Sequence, residues 1–169
     1  MSEVDPDQPD HVSRLIGQWA VQRPDLDVSP MGVIGRLHRL AERLDDELDT
    51  VFSAHGLGYG EFDVLCALRR AGAPHQLTPS EIAASSMVTA GATTKRVEKL
   101  LRAGLVEREA CADDRRVRRV RLTPTGLALI DTAFAEHVAN EHRLLAGLTP
   151  AERDLLADLL ERWGRALGE

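Results

Sequence analysis

The chain has 169 residues, of which 43% are hydrophobic, 28% are charged and only 4% are aromatic, and its formal net charge is −6. It is long enough to bury the core of one soluble domain, and leucine, valine and alanine must fill most of that core. No apolar run approaches the ~20 residues of a membrane-spanning helix, and the acidic start does not resemble a secretory signal. We therefore expect a cytoplasmic protein that makes no membrane contact.

Helical periodicity begins near the N-terminus. Asp10 is the predicted N-cap of a first helix, which ends before Pro24. A longer helix is predicted between Ser29 and Gly56, and a third from Gly60 to Ala71. These amphipathic segments predict a mainly α fold.

The middle of the chain has the order of a helix-turn-helix followed by a basic hairpin. Thr78-Pro-Ser-Glu forms a capping box that begins one helix, and a second helix is predicted from about Ala90 to Ala103. Two strands are predicted over 105–110 and 117–122. This order suggests a winged helix-turn-helix, in which one helix enters the major groove of DNA and a hairpin wing reaches the neighbouring backbone.

Basic charge is concentrated in this segment. Between Lys95 and Arg121, ten basic residues stand against five acidic ones, and this local balance of +5 leaves −11 for the rest of the chain. Double-stranded DNA is therefore the expected partner, and the acidic remainder would disfavour binding in other orientations.

The second helix of the motif is the predicted reading element. Thr94 and Lys95 are candidates for contacts with base edges, because both can hydrogen-bond in the major groove. Ser80, Thr89 and Arg102 are candidates for backbone contacts, and the small residue Gly91 allows close approach to DNA. Ordinary solvated helix positions are the alternative interpretation of each.

The predicted wing carries five arginines within residues 115–121. Such a concentration of like charge favours contact with phosphates or the minor groove. We expect DNA contacts from Arg115, Arg116 and Arg118, with Arg116 at the tip and Asp114 orienting it.

The outer helices have more apolar surface than a small winged-helix domain can cover. A helix is predicted over 124–145, and Thr149 begins a last, leucine-rich helix with a second capping box. A homodimer interface would bury these faces, whereas packing within one subunit is the alternative. The predicted division is an N-terminal tail and extra helix (1–28), a helical dimerisation region (29–56 and 124–169) and a DNA-binding lobe (57–123).

No catalytic or metal chemistry is indicated. The chain has no nucleotide-binding glycine loop and no nucleophile motif, and its six histidines lack metal-ligand spacing, so we expect no enzyme, no metal and no cofactor. Cys66 and Cys111 are too few and too far apart for a disulfide framework. We expect Cys66 in the core and Cys111 incidentally in the wing, with a redox switch as the alternative.

Three segments carry a resemblance to a known family. Gly104-Leu-Val-Glu-Arg, Asp114-Arg-Arg and Leu122-Thr-Pro-Thr-Gly resemble the wing signature of the MarR family of winged-helix repressors. The resemblance implies a mainly α fold with a small β-hairpin wing (α+β) and terminal dimerisation helices. It also implies a homodimer, an operator of two inverted half-sites and a small-molecule pocket.

The N-terminal region resembles the urate-responsive branch of that family. Its extra helix and the following arm are similar, as is Glu61-Phe-Asp-Val-Leu. The resemblance implies a ligand site at Trp19, Asp63, Arg96 and Arg108. Arginines suit a flat, oxygen-rich anion because they give planar, permanently charged donors. Urate, a related purine or another aromatic acid would fit, and purely structural roles for the four residues are the alternative.

The leading hypothesis is a ligand-responsive repressor that releases DNA when it binds a small anionic aromatic ligand such as urate. A constitutive or redox-responsive repressor is the rival within this class. A winged-helix protein-interaction module, with wing arginines gripping an acidic partner, is the rival from a different class.

Overall fold

The computed structural model describes residues 8–86, 90–110 and 118–168. They form seven helices and three strands, in the order α1 (His11–Gln22), α2 (Met31–Ala54), α3 (Tyr59–Arg70), β1 (Gln76–Leu77), α4 (Pro79–Ser85), α5 (Ala90–Arg102), β2 (Val106–Ala110), β3 (Arg118–Leu122), α6 (Pro124–Leu144) and α7 (Pro150–Leu167). The mainly α fold with a small antiparallel sheet is confirmed. The chain divides into two compact units, Met1–Glu47 and Leu48–Glu169.

In the N-terminal unit, α1 packs against the first half of α2. Asp10 caps α1 by accepting a hydrogen bond from the Ser13 backbone N–H at 2.7 Å. The same carboxylate accepts from Arg36 of α2, with Nε at 2.8 Å and Nη2 at 3.0 Å. These bonds hold the pKa of Asp10 well below its usual range. Val12 is buried and contacts the backbone of Gly35, so a glycine in α2 lets the two helices approach.

The C-terminal unit is built around α3. Its core contains the buried side chains of seven elements and their junctions, chiefly Phe52, Phe62, Val64, Leu65, Leu68, Ile82, Val97, Leu100, Val106, Val120, Leu122 and Ile130. Helix α6 begins directly against the hairpin: a Cβ at Gly126 would lie 1.9 Å from the carbonyl oxygen of Leu105. Only glycine allows that approach without moving backbone.

The sheet differs from the predicted two-stranded hairpin. Its strand order is β1-β3-β2, because Gln76 and Leu77 pair with Arg121 and Val120. A two-residue strand has no alternating pattern to detect, and this one directly precedes the cap of α4. Thr78 caps that helix as predicted, with its hydroxyl accepting from Glu81 N and the Glu81 carboxylate accepting from Thr78 N.

Large apolar side chains remain exposed on several helices. They include Val33, Ile34, Leu37, Leu40 and Leu44 of α2, Phe134 of α6, and Leu155, Leu156, Leu159, Leu160 and Leu167 of α7. No residue of α7 is buried. Within the described ranges, no helix is long and apolar enough to cross a membrane. The predicted dimerisation region, like the rest of the domain division, stays a prediction.

Candidate nucleic-acid interface

Helix α5 has one buried and one exposed face. Thr93, Val97 and Leu100 are buried against the core, at the spacing of three or four residues that places side chains on one face of a helix. Thr94 and Lys95 are exposed on the other face. The helix-turn-helix therefore presents the two predicted base-reading side chains to solvent, and a duplex can reach them.

Three of the other predicted contacts of the helix-turn-helix lie on described residues of α4 and α5. Ser80 is exposed in the first turn of α4, and Gly91 lies in the first turn of α5. Arg102 is exposed at the end of α5, where its Nε donates to the carbonyl oxygen of Glu98 at 3.3 Å. Thr89 lies outside the described residues. Their DNA contacts stay predictions.

Two ion pairs attach α5 to its neighbours. On one side, Lys99 Nζ lies 2.9 Å from Glu61 Oε2 of α3. On the other side, Arg108 Nη2 of β2 lies 2.5 Å from Glu98 Oε1. Consecutive residues of the helix are thus held by two different elements.

The register of the hairpin explains how Arg108 reaches α5. Cross-strand partners share one face of an antiparallel pair, and Arg108 pairs with buried Val120. Arg108 therefore lies on the face of the hairpin that is turned to the core. Glu107 and Glu109 lie on the other face, opposite Arg121 and Arg119.

The arginines of β3 have different surroundings. Arg121 is paired, with Nη2 at 2.8 Å from both Glu107 and Glu109. Arg119 Nη1 lies 3.8 Å from the Glu81 carboxylate. Arg118 is exposed, and no ion pair is found for it within the described part of the chain. Of the five wing arginines, Arg118 is thus the described one that is available to DNA.

The predicted tip of the wing, with Arg115, Arg116 and Asp114, lies outside the described residues, as does Cys111. The predicted phosphate contacts of the two arginines, and the orienting role of Asp114, stay predictions.

Two members of the predicted ligand site are found at the first turns of α3. Asp63 is only 5% exposed, and Arg96 extends from α5 across the backbone of Gly60. A Cβ at Gly60 would lie 2.0 Å from Arg96 Nε. The Nη1 atom of Arg96 is buried and has no hydrogen-bond partner among the described residues. A buried donor left unpaired is costly, which marks this guanidinium as a candidate to receive an acceptor.

The other two members have different environments. Arg108 is partly exposed and paired with Glu98. Trp19 belongs to the N-terminal unit and is 48% exposed there. The sequence did not identify Gly60 or Glu98, the residues that contact Arg96 and Arg108. Their only signals were a glycine at the start of a predicted helix and an acidic residue on the predicted exposed face of α5.

Cys66 is buried, and its burial determines the protonation and reactivity of the thiol. Its side chain is in the core, as predicted, and desolvation raises the pKa of the thiol to about 12. The thiol is therefore protonated at neutral pH, which disfavours Cys66 as a redox sensor because the thiolate is the reactive form.

Comparison with known proteins identifies the family. A family profile described as "MarR family" matches residues 55–117. The chain is 42% identical over 151 residues to the HTH-type transcriptional regulator PecS of Dickeya dadantii, covering 89% of this chain and 91% of that protein. It is 29% identical to the multiple antibiotic resistance protein MarR of Salmonella typhimurium, covering 80% and 92%.

Solved structures give the same result. A cysteine-to-serine variant of Escherichia coli MarR, complexed with operator DNA, superposes with a TM-score of 0.67 at 29% identity, covering 81% of this chain and 98% of that one. Bordetella bronchiseptica BpsR, whose DNA binding is regulated by 6-hydroxynicotinic acid, superposes with a TM-score of 0.68 at 26% identity, covering 78% and 92%. These relatives are regulators of transcription rather than enzymes. The chain belongs to the MarR family and is a DNA-binding transcriptional regulator.

Proposed function

We propose that the chain is a repressor that binds an operator of two inverted half-sites as a homodimer and releases it on binding a flat anion such as urate. The observation that carries the ligand response is the buried, unpartnered Nη1 of Arg96, because this arginine stands on the recognition helix itself. An acceptor that binds there acts directly on the element that reads DNA.

DNA contact would come from two surfaces of each subunit. Thr94 and Lys95 would meet base edges in the major groove. The backbone would be held by the remaining predicted contacts, which are Ser80, Thr89, Gly91, Arg102, Arg115, Arg116 and Arg118. Exposure of Thr94, Lys95 and Arg118 supports this assignment.

Two substitutions distinguish base recognition from binding to the DNA backbone. Lys95→Ala should relax the preference at particular bases, whereas Arg118→Ala should weaken binding to many sequences and reduce the slope of log affinity against log salt by about one. Fluorescence anisotropy with duplexes selected by the protein from a random library measures both. Equal affinity of the wild type for all duplexes would mean that α5 is not the reading helix.

Homodimer formation is supported by the uncovered apolar faces of α2, α6 and α7. Burial contributes about 25 cal/mol per Å² of apolar area, so a partner that covers several exposed leucines has a strong driving force. Sedimentation equilibrium of the wild type and of Leu156→Glu tests this interface. We expect a dimer and a weakened dimer, respectively, and a monomeric wild type would refute the proposal.

The anion would use Arg96 and Arg108 as donors, beside the carboxylate of Asp63. We infer that Arg108 would exchange its pair with Glu98, which lies on α5, for the anion. The ligand would thereby remove one of the ion pairs that hold the recognition helix. Trp19 is included because the resemblance implies an aromatic wall, and 6-hydroxynicotinic acid, the effector of the relative BpsR, is also a flat aromatic acid.

A gel-shift titration with and without urate tests DNA binding and ligand response together. Calorimetry with urate on the wild type, Trp19→Ala, Asp63→Ala and Arg96→Ala then tests the site. Arg102→Ala is the matched control, because it removes an arginine of the same helix that is outside the proposed ligand site. Equal heats of urate binding for the wild type and all variants would refute the proposed site.

A further inference from the structure

The first turn of α3 holds the recognition helix through a side chain that no DNA or ligand contact uses. Glu61 Oε2 accepts a hydrogen bond from the Gly58 backbone N–H at 2.9 Å, which completes the cap of α3. The same oxygen accepts from Lys99 Nζ of α5 at 2.9 Å. We propose that Glu61 is a positioning residue for DNA binding: it fixes the position of α5 by holding Lys99.

Glu61 is suited to act as a fixed point. Its side chain is only 13% exposed, whereas that of Lys99 is 55% exposed. The carboxylate is held by the backbone of its own helix, so the lysine, with its long flexible stem, must come to it. The position of the pair is therefore set by α3, not by α5.

A second contact, made by Arg96, attaches α5 to α3 at another point along the helix. Arg96 lies over Gly60, next to Glu61, and Lys99 follows Arg96 by three residues on the same stripe of α5. Two points separated by about one turn restrain sliding and rotation of a helix together, whereas one point restrains neither fully. Thr94 and Lys95 lie just before this stripe, so the restraint also sets where they face.

The pair has a consequence for Lys99 itself. A lysine on a recognition helix ordinarily adds a contact to phosphate. Lys99 instead neutralises a carboxylate of its own chain, and its ammonium is held beside α3. The ammonium half of the pair is solvent-exposed, and ion pairs that reach solvent add little to folding stability, so the expected effect of removing this one is on DNA affinity.

The test is a double-mutant cycle with Glu61→Gln, Lys99→Gln and the double variant, assayed by anisotropy over a range of salt. The probe is the tightest duplex that the wild type selects from a random library. Glutamine keeps an oxygen for the Gly58 N–H and removes only the charge. Glu152→Gln is the matched control, because Glu152 fills the same capping position in α7 and accepts from Thr149 N at 2.8 Å.

We expect each single variant to bind the duplex about threefold to tenfold more weakly, the double variant to lose no more than the singles, and the salt slope to stay unchanged. Three results would overturn the assignment. The first is tighter binding by Glu61→Gln with a reduced slope in Lys99→Gln, which would make Lys99 a phosphate contact. The second is a loss of affinity in Glu61→Gln no larger than in Glu152→Gln. The third is losses of the two single variants that add in the double variant.

This inference rests on the proposed contact of α5 with DNA and is independent of urate. If the wild type selects no duplex, the proposed function fails; if it selects one and the cycle shows no coupling, only the role of Glu61 fails.

Discussion

The contact between Gly60 and Arg96 predicts an unusual response to a small substitution. A Cβ at Gly60 would lie 2.0 Å from Nε, 2.5 Å from Cζ and 2.7 Å from Cδ of Arg96. Ordinary contact begins at 3.4 Å, so in Gly60→Ala the arginine must withdraw by about 1.4 Å. The clashing atoms belong to the outer part of a flexible side chain that is only partly buried, so the cost is at the low end of the overpacking range, about 1 kcal/mol, whereas alanine in a helix gains about 0.5–1 kcal/mol over glycine. We expect the stability of Gly60→Ala to lie between that of the wild type and about 0.5 kcal/mol below it.

Gly17 provides the control. It lies inside α1, and a Cβ there would meet no atom within 4 Å, so Gly17→Ala should gain only the helical preference of about 0.5–1 kcal/mol. Denaturant unfolding of both variants measures the difference, which should be about 1 kcal/mol. Equal stabilisation by both substitutions would refute the packing of Arg96 over Gly60. It would also weaken the ligand proposal, because the position of the Arg96 guanidinium depends on this contact.

Three further predictions concern other parts of the molecule. The buried thiol of Cys66, with a pKa of about 12, should resist alkylation by iodoacetamide at pH 8 in the native protein and react once urea unfolds it; rapid native modification in a Cys111→Ser background would contradict this. The pKa of Asp10 is lowered mainly by Arg36, so its stabilising effect is complete above the usual aspartate pKa and is lost as the pH falls through the lower folded value. Asp10→Asn, which keeps the cap, should therefore lower the Tm at about pH 6 and by less at about pH 3, and an equal difference at both would exclude the ion pair as the cause. Glu98→Gln should weaken operator binding without urate, because it removes the pair with Arg108 that the ligand is proposed to break. Unchanged affinity in anisotropy would mean that loss of this pair does not cause DNA release.

The elements of the fold follow from short-range signals. The N-cap at Asp10 and the capping boxes at Thr78 and Thr149 involve residues three positions apart, so the sequence shows both partners at once. The buried face of α5 was equally accessible, because its apolar residues repeat every three or four positions. Exact ends differed by a residue or two, where capping groups compete with the last helical hydrogen bonds.

The pairing of the charged residues did not follow from such signals. Glu61 and Lys99 are 38 residues apart, and the packing of α3 on α5 brings them together. Arg121 belongs to a dense basic cluster in the sequence, but the register of the hairpin sets it opposite Glu107. Local charge density alone therefore does not reveal that Arg121 is paired, because strand pairing is a long-range property.

The two attachments of α5 differ in a way that bears on how an effector would act. Arg108 belongs to the proposed ligand site, so the pair with Glu98 can be exchanged for a pair with an anion. Lys99 and Glu61 are outside that site, so their pair can persist in the bound state. The anion would also engage Arg96, which makes the second contact of α5 with α3. The Lys99–Glu61 pair would then be one remaining point of attachment, and one point does not prevent rotation of the helix. Such a rotation would turn Thr94 and Lys95 away from the bases while Val97 and Leu100 stay buried, so the domain would release DNA without unfolding its core.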